Sequence, residues 1–176
     1  LDNTMQLNAA TFFYDYQDKQ ETDAHVAFVG NISGLTNAPE SEIKGIELDM
    51  LWLPGNGWDV RFNIAWLDSE VTEWMAVDTA ASAWPDIVYY DASGNKLAMS
   101  PDISYTASVS KGWQIDNGSV IDITLDHTYT DSTTGATDPF QIGGEDYRYT
   151  NMRVGYGPAD GKWRLVLWGR NITDEY

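Results

Sequence analysis

The side chains best suited to chemistry in this 176-residue chain are aromatic and acidic, and they gather between the periodic segments. A stretch from Glu70 to Ser100 carries Trp74, Trp84, Tyr89 and Tyr90 together with Asp78, Asp86 and Asp91. Aromatic faces beside carboxylates suit stacking on a sugar or an aromatic small molecule, and equally suit packing of the loop against its neighbours. A second stretch holds Asp131, Asp138, Glu145 and Asp146, oxygen ligands that Ca²⁺ would accept. Their spacing matches no defined calcium loop, so they read as a solvated acidic loop and no metal or cofactor is expected.

Catalytic patterns are missing. There is no Gly-x-Ser-x-Gly elbow and no phosphate-binding glycine loop, and His25 and His127 lack zinc spacing. Asp122 and Asp126 share a strand face and could in principle serve as a glycosidase pair, but among 27 acids such pairs arise by chance. The three Asn-x-Ser/Thr sequons at Asn31, Asn117 and Asn171 read as chance too. No enzyme is expected. Against 27 acidic residues stand 10 basic ones, a formal charge of −17 that excludes nucleic acid as a partner, since phosphates require a basic surface.

The elements that position these loops alternate with period two. One face reads Ile46, Leu48, Met50, Trp52, then Trp58, Val60, Phe62, Ile64, Trp66, then Ile103, Tyr105, Ala107, Val109. It continues through Ile121, Ile123, Leu125, through Met152, Val154, Tyr156, and through Trp163, Leu165, Leu167, without a charge. The opposite face carries Glu47, Asp49, Asp59, Arg61, Asn63, Asp122, Asp126, Arg153 and Arg164. Seven strands follow, at roughly 5–17, 42–53, 58–69, 102–114, 119–131, 146–157 and 162–172.

A soluble β-sandwich, such as a carbohydrate-binding or adhesin-like module, would alternate in the same way. Aromatic placement favours another arrangement. Trp52 and Trp58 bracket one tight turn, Trp113 precedes a second, Tyr156 and Trp163 bracket a third, and Trp66 marks the far end of a strand. Aromatic girdles at both rims of an apolar band fit a membrane-spanning barrel, where amphipathic rings sit between headgroups and hydrocarbon. Short turns alternate with long connections, and each apolar run is near the ~9–11 residues a tilted strand needs to cross a bilayer. The expected fold is all-β, an antiparallel up-and-down transmembrane β-barrel segment with short periplasmic turns and long outer loops. Trp52, Trp58, Trp66, Trp113, Tyr156 and Trp163 are its expected lipid-interface aromatics. Seven is an odd number for a single-chain bacterial barrel, so the wall is expected to be an arc of a larger one.

Four segments carry a family resemblance. Ile43-Lys44-Gly45-Ile46-Glu47-Leu48, Leu97-Ala98-Met99-Ser100-Pro101-Asp102-Ile103-Ser104-Tyr105, Asp126-His127-Thr128-Tyr129-Thr130 and the run from Lys162 to Tyr176, which contains Gly169-Arg170-Asn171-Ile172-Thr173-Asp174-Glu175, occur in family order. They resemble strand signatures in the C-terminal part of TonB-dependent outer-membrane receptors. The resemblance implies that residues 1–176 are the last third of a barrel of roughly 22 strands in the bacterial outer membrane, lacking its final strands. It further implies an N-terminal plug and a TonB-contacting box elsewhere in the parent chain, and active uptake of an iron–siderophore, cobalamin or an oligosaccharide. In that setting the wet face lines the lumen, outer-membrane lipid covers the apolar face, and Trp74, Trp84, Tyr89 and Tyr90 are candidates for meeting the substrate.

Overall fold

The computed structural model describes residues 4–116, 118–134 and 143–175; Asn117, Asp138 and Tyr176, singled out above, lie outside them. Each apolar run lies in a strand, and the strands follow one another through hairpins. In chain order they are β1 (Met5–Ala27), β2 (Gly30–Gly55), β3 (Trp58–Glu73), β4 (Met75–Val77), β5 (Tyr89–Asp91), β6 (Ile103–Gln114), β7 (Ser119–Thr130), β8 (Thr133–Thr134), β9 (Gly143–Gly144), β10 (Tyr147–Pro158) and β11 (Leu165–Gly169). Seven of them form one antiparallel sheet in the order β1-β2-β3-β6-β7-β10-β11, an uninterrupted meander. The pairs β4-β5 and β8-β9 are small additions at the end away from the tight turns.

The register keeps the two faces separate across the sheet. Met50 opposes Phe62, Phe62 opposes Ala107, and Ala107 opposes His127, all on the apolar face. One residue along, Asp49 opposes Asn63, Asn63 opposes Thr106 and Thr106 opposes Thr128 on the polar face. A slip of one residue anywhere would exchange the two chemistries, so the pattern itself pins the pairing. The tight turns use residues that tolerate left-handed backbone: Asn56 at φ 51° and Gly57 at φ 77° close β2 onto β3.

A sandwich would bury the apolar face, and here it is open. Leu7 is 53% and Leu167 67% exposed, and Ile46, Val109 and Leu125 are exposed as well. The buried apolar cluster lies elsewhere, in Ala38, Val71, Trp74, Ala76, Ala92 and Leu97, around the long connection after β3. Only a solvent as apolar as lipid leaves such a face favourable, so the soluble alternative fails on burial.

One expectation is corrected. The stretch from Asp18 to Ser41 is not an outer loop, because β1 and β2 continue as one hairpin to a turn at Phe28 and Val29. Its side chains do not alternate in polarity, so period two gives no signal there, while the backbone ladder still closes. Gly45 lies inside β2, opposite Phe12. A Cβ at Gly45 would meet the Phe12 ring at 2.6 Å and the Trp66 carbonyl oxygen at 2.7 Å, so the ring of the neighbouring strand covers the bare backbone. In the long connection after β3, β5 pairs with β4, and Gly94 and Asn95 bond to Val71.

A polar crossing holds the strands nearest the third turn. Arg164, just before β11, reaches over Gly155 of β10 to pair with Asp122 of β7. A Cβ at Gly155 would lie 2.5 Å from the Arg164 guanidinium and 2.6 Å from the Asp122 carboxylate. Replacing Gly155 by valine is expected to break that ion pair. In the parent barrel, Phe62→Arg places a charge on the lipid face and is expected to cost ~2–4 kcal/mol and to abolish the heat-modifiable folded band on gels. Asn63→Arg, facing Asp49 on the wet side, is expected to leave that band intact.

Candidate functional site

Above the sheet, the connection after β3 is anchored inward. Leu67, Ser69 and Val71 continue the row begun by Asn63 and Ala65, so Val71 belongs to the polar face, and the cluster built on it draws the loop over that face. Backbone bonds fix the seat: Val71 N–H to Asn95 O at 2.8 Å, the Gly94 N–H to Val71 O at 2.8 Å, and the Ala92 N–H to Trp74 O at 2.8 Å. β4 also lies against β1.

The four loop aromatics divide accordingly. Trp74 is 4% exposed and forms part of the cluster, with Tyr90 packed against it. Trp84 and Tyr89 are each 56% exposed. The loop carboxylates are engaged in turns. Asp78 accepts the N–H groups of Ala80 and Ala81 at 3.0 Å each, and Asp91 accepts the Ser93 N–H at 2.9 Å. The Ser93 hydroxyl and then its backbone N–H hold the Asp91 carboxyl below the ordinary carboxylate range. Asp131 accepts the Ser132 N–H at 2.8 Å. No group of three or more His, Asp or Glu among the described residues could hold a metal ion.

The rim aromatics occupy two levels. Trp52, Trp58, Trp113, Tyr156 and Trp163 lie by the tight turns, with Tyr156 and Trp163 edge to face at 5.6 Å, and Trp66 lies at the opposite end between Ile46 and Ile103. His127 belongs to the apolar face, its Nδ1 2.9 Å from the Thr150 hydroxyl and its ring 5.9 Å from Tyr105. Asp122 and Asp126 stand four residues apart on one strand, about 13 Å, which exceeds the separation of a glycosidase pair.

The polar face holds a feature that inspection of the loops misses. Phe12, Tyr14 and Tyr16 rise along β1 with ring centroids 5.3 and 5.9 Å apart, and Tyr147 and Tyr149 stack on β10 at 6.5 Å with planes 3° apart. The signal was present as aromatic-x-aromatic spacing in strands. Two pairing rows of this face, from Ala10 and Glu47 across to Tyr147 and from Asn8 and Asp49 across to Tyr149, hold a hollow of about 330 Å³ lined by Glu47, Asp49, Asn63, Ser104, Thr106 and Thr128, with the β1 rings one to three rows further from the tight turns. The Asn63 amide donates to Asp49. No lysine or arginine stands in these two rows among the described residues; Arg61, one row closer to the tight turns, is taken up by Asp59 at 2.9 Å. Carboxylates, an amide and hydroxyls between aromatic faces can hydrogen-bond and stack a ring-bearing, uncharged ligand.

The family described as "TonB dependent receptor-like, beta-barrel" matches residues 1–172. Among solved structures, the siderophore receptor PiuA from Acinetobacter baumannii is similar with a TM-score of 0.64 and 20% identity over 99% of this chain. The chain spans 22% of that receptor's length. No curated protein matches.

Trp74→Ala in the parent protein is expected to cost about 3–5 kcal/mol of local stability and to open the loop to limited proteolysis, whereas Trp84→Ala leaves cleavage unchanged. The contribution of Asp91 is present above its unfolded pKa of about 3.9 and fades as pH falls through its lowered folded value. Asp91→Asn is therefore expected to remove an acid-induced rise in cleavage near Ser93.

Proposed function

The chain belongs to the TonB-dependent receptor β-barrel family and is wall of a bacterial outer-membrane barrel, and from that premise we propose that it serves active uptake of a scarce nutrient. It supplies part of the barrel wall and of the substrate vestibule. The observation that carries this reading is the division of one sheet into an open apolar face with aromatic rims and a polar face over which an outer loop is folded. The wet face lines the lumen beside a plug, and the rim aromatics sit at the headgroup levels. Family and structural neighbour are receptors, and the chain is a receptor component rather than an enzyme.

Among iron–siderophore, cobalamin and oligosaccharide, the vestibule wall favours an uncharged ring-bearing substrate. Its two rows of Asp, Glu, Asn, Ser and Thr end at Tyr147 and Tyr149, with the rings of Tyr14 and Tyr16 further out on β1, and a polyanion would meet carboxylates without an opposing cation. Trp84 and Tyr89 are the loop aromatics free to make first contact, and TonB and the plug are the partners of the parent protein.

Uptake by cells carrying the full-length receptor is expected to stop when TonB is deleted. Tyr14→Ala and Tyr149→Ala are each expected to weaken substrate binding about tenfold, as loss of one stacking face of 1–2 kcal/mol does, while leaving the folded barrel band unchanged. Unaltered binding in both variants would remove the ladders from the substrate path.

A further inference from the structure

We propose that Lys111, between Trp58 and Trp113 on the lipid face, binds the phosphate headgroup of a phospholipid in the periplasmic leaflet. The lysine sits on β6 opposite Trp58 of β3 and Ile123 of β7, two residues along from Val109 and so on the apolar face, at the level of the tight turns. Its Nζ stands 5.0 Å from the Trp58 ring centroid and 5.8 Å from that of Trp113, and it donates one hydrogen bond to the Asn56 carbonyl oxygen. An ammonium has three N–H donors, so donors remain for an oxyanion.

The charge inventory makes the placement informative. Acids outnumber bases 27 to 10, so a carboxylate partner is easy to supply. Among the described residues, Lys19, Lys44, Arg61, Lys96, Arg148, Lys162 and Arg164 each have one. Arg153 reaches Thr124 on the polar face, and Arg170 lies over Trp168, also of the polar face. Among the described residues, Lys111 is the cation on the apolar face for which no carboxylate stands within ion-pair distance. Asp59 and Asp122, the neighbours in sequence of its two register partners Trp58 and Ile123, belong to the other face and are engaged by Arg61 and Arg164. A lysine at an aromatic rim, with its stem against indole rings and no internal counter-charge, has its complement in the interfacial phosphate layer. The acyl chains of a seated lipid would pass over the next apolar row, Val60, Val109 and Leu125.

The test uses the full-length receptor purified in detergent, titrated with dioleoyl-phosphatidylglycerol and read by native mass spectrometry. One bound phospholipid is expected to weaken about fivefold in Lys111→Met and to persist in Lys111→Arg, the change that one interfacial lysine confers. Dioleoylglycerol, which lacks the phosphate, should not occupy the site, and millimolar inorganic phosphate should not displace the lipid. Equal lipid binding by wild type and Lys111→Met overturns the proposal, and displacement by inorganic phosphate overturns the lipid assignment in favour of a free anion. Should the methionine variant fold poorly, ¹³C-methylation of the wild-type lysines gives a second reading: the Lys111 signal, identified by its loss in Lys111→Arg, must shift on adding phosphatidylglycerol. An unshifted signal sinks the idea. The proposal rests on the barrel reading, and the two fail separately, because a heat-modifiable band in the variants reports an intact barrel whatever lipid is bound.

Discussion

Everything in this chain follows from the need to pair every backbone N–H and C=O where no water is present. In hydrocarbon an unpaired peptide group costs several kcal/mol, so a spanning segment must be a helix or belong to a continuous ladder. Seven strands in meander order supply that ladder, with each neighbour in sequence also the neighbour in space. The side chains then need only obey alternation. One row meets lipid, the next meets water, and the register that closes the hydrogen bonds also sorts the two.

This division explains why the wall lacks an ordinary core. Its apolar residues are displayed rather than buried, and the buried cluster is small and lies where the strands leave the membrane, holding a loop over the polar face. The stability of the wall and the shape of the loop thereby fall to different parts. The wall depends on the ladder and its solvent. Shape at the mouth depends on a few contacts of Trp74, Val71 and Leu97, while the rings exposed there, Trp84 and Tyr89, contribute little to holding it.

How much was legible in the residues varied with the physics of each segment. Phe62, Asn63 and Ile64 show their faces at once, because period two survives any change of loop. The aromatic rims were legible for the same reason: Trp52 and Trp58 flank a turn that Asn56 and Gly57 announce. The outer half of β1 and β2 was not, since Lys19, Gln20, Glu21 and Thr22 carry no alternation and the side that is buried, at Glu21, Asp23 and Ala38, is polar or small. Trp74 and Trp84 could not be told apart, because burial of the first depends on Ala38 and Leu97, far away in sequence. The ladder Phe12, Tyr14, Tyr16 was written in plain spacing, yet its meaning depends on Gly45, across the strand, being bare enough for a ring to lie on.

The β1–β2 hairpin has a mechanical consequence. Between Gln17–Glu40 and Lys19–Ala38, Asp18 adopts φ 54° and faces Pro39, which has no N–H to give, so the ladder is weakest at that level. Beyond it, nine residues of β1 from Lys19 to Ala27 continue as paired strand, an arm of about 30 Å ending in the exposed Phe28 and Val29. A tilt of about 10° at Asp18 carries that tip sideways by about 5 Å. The hairpin is thus a stiff arm on a soft foot, and Ala38, set just beyond that foot in the buried cluster, makes the loop after β3 the brace that holds its direction.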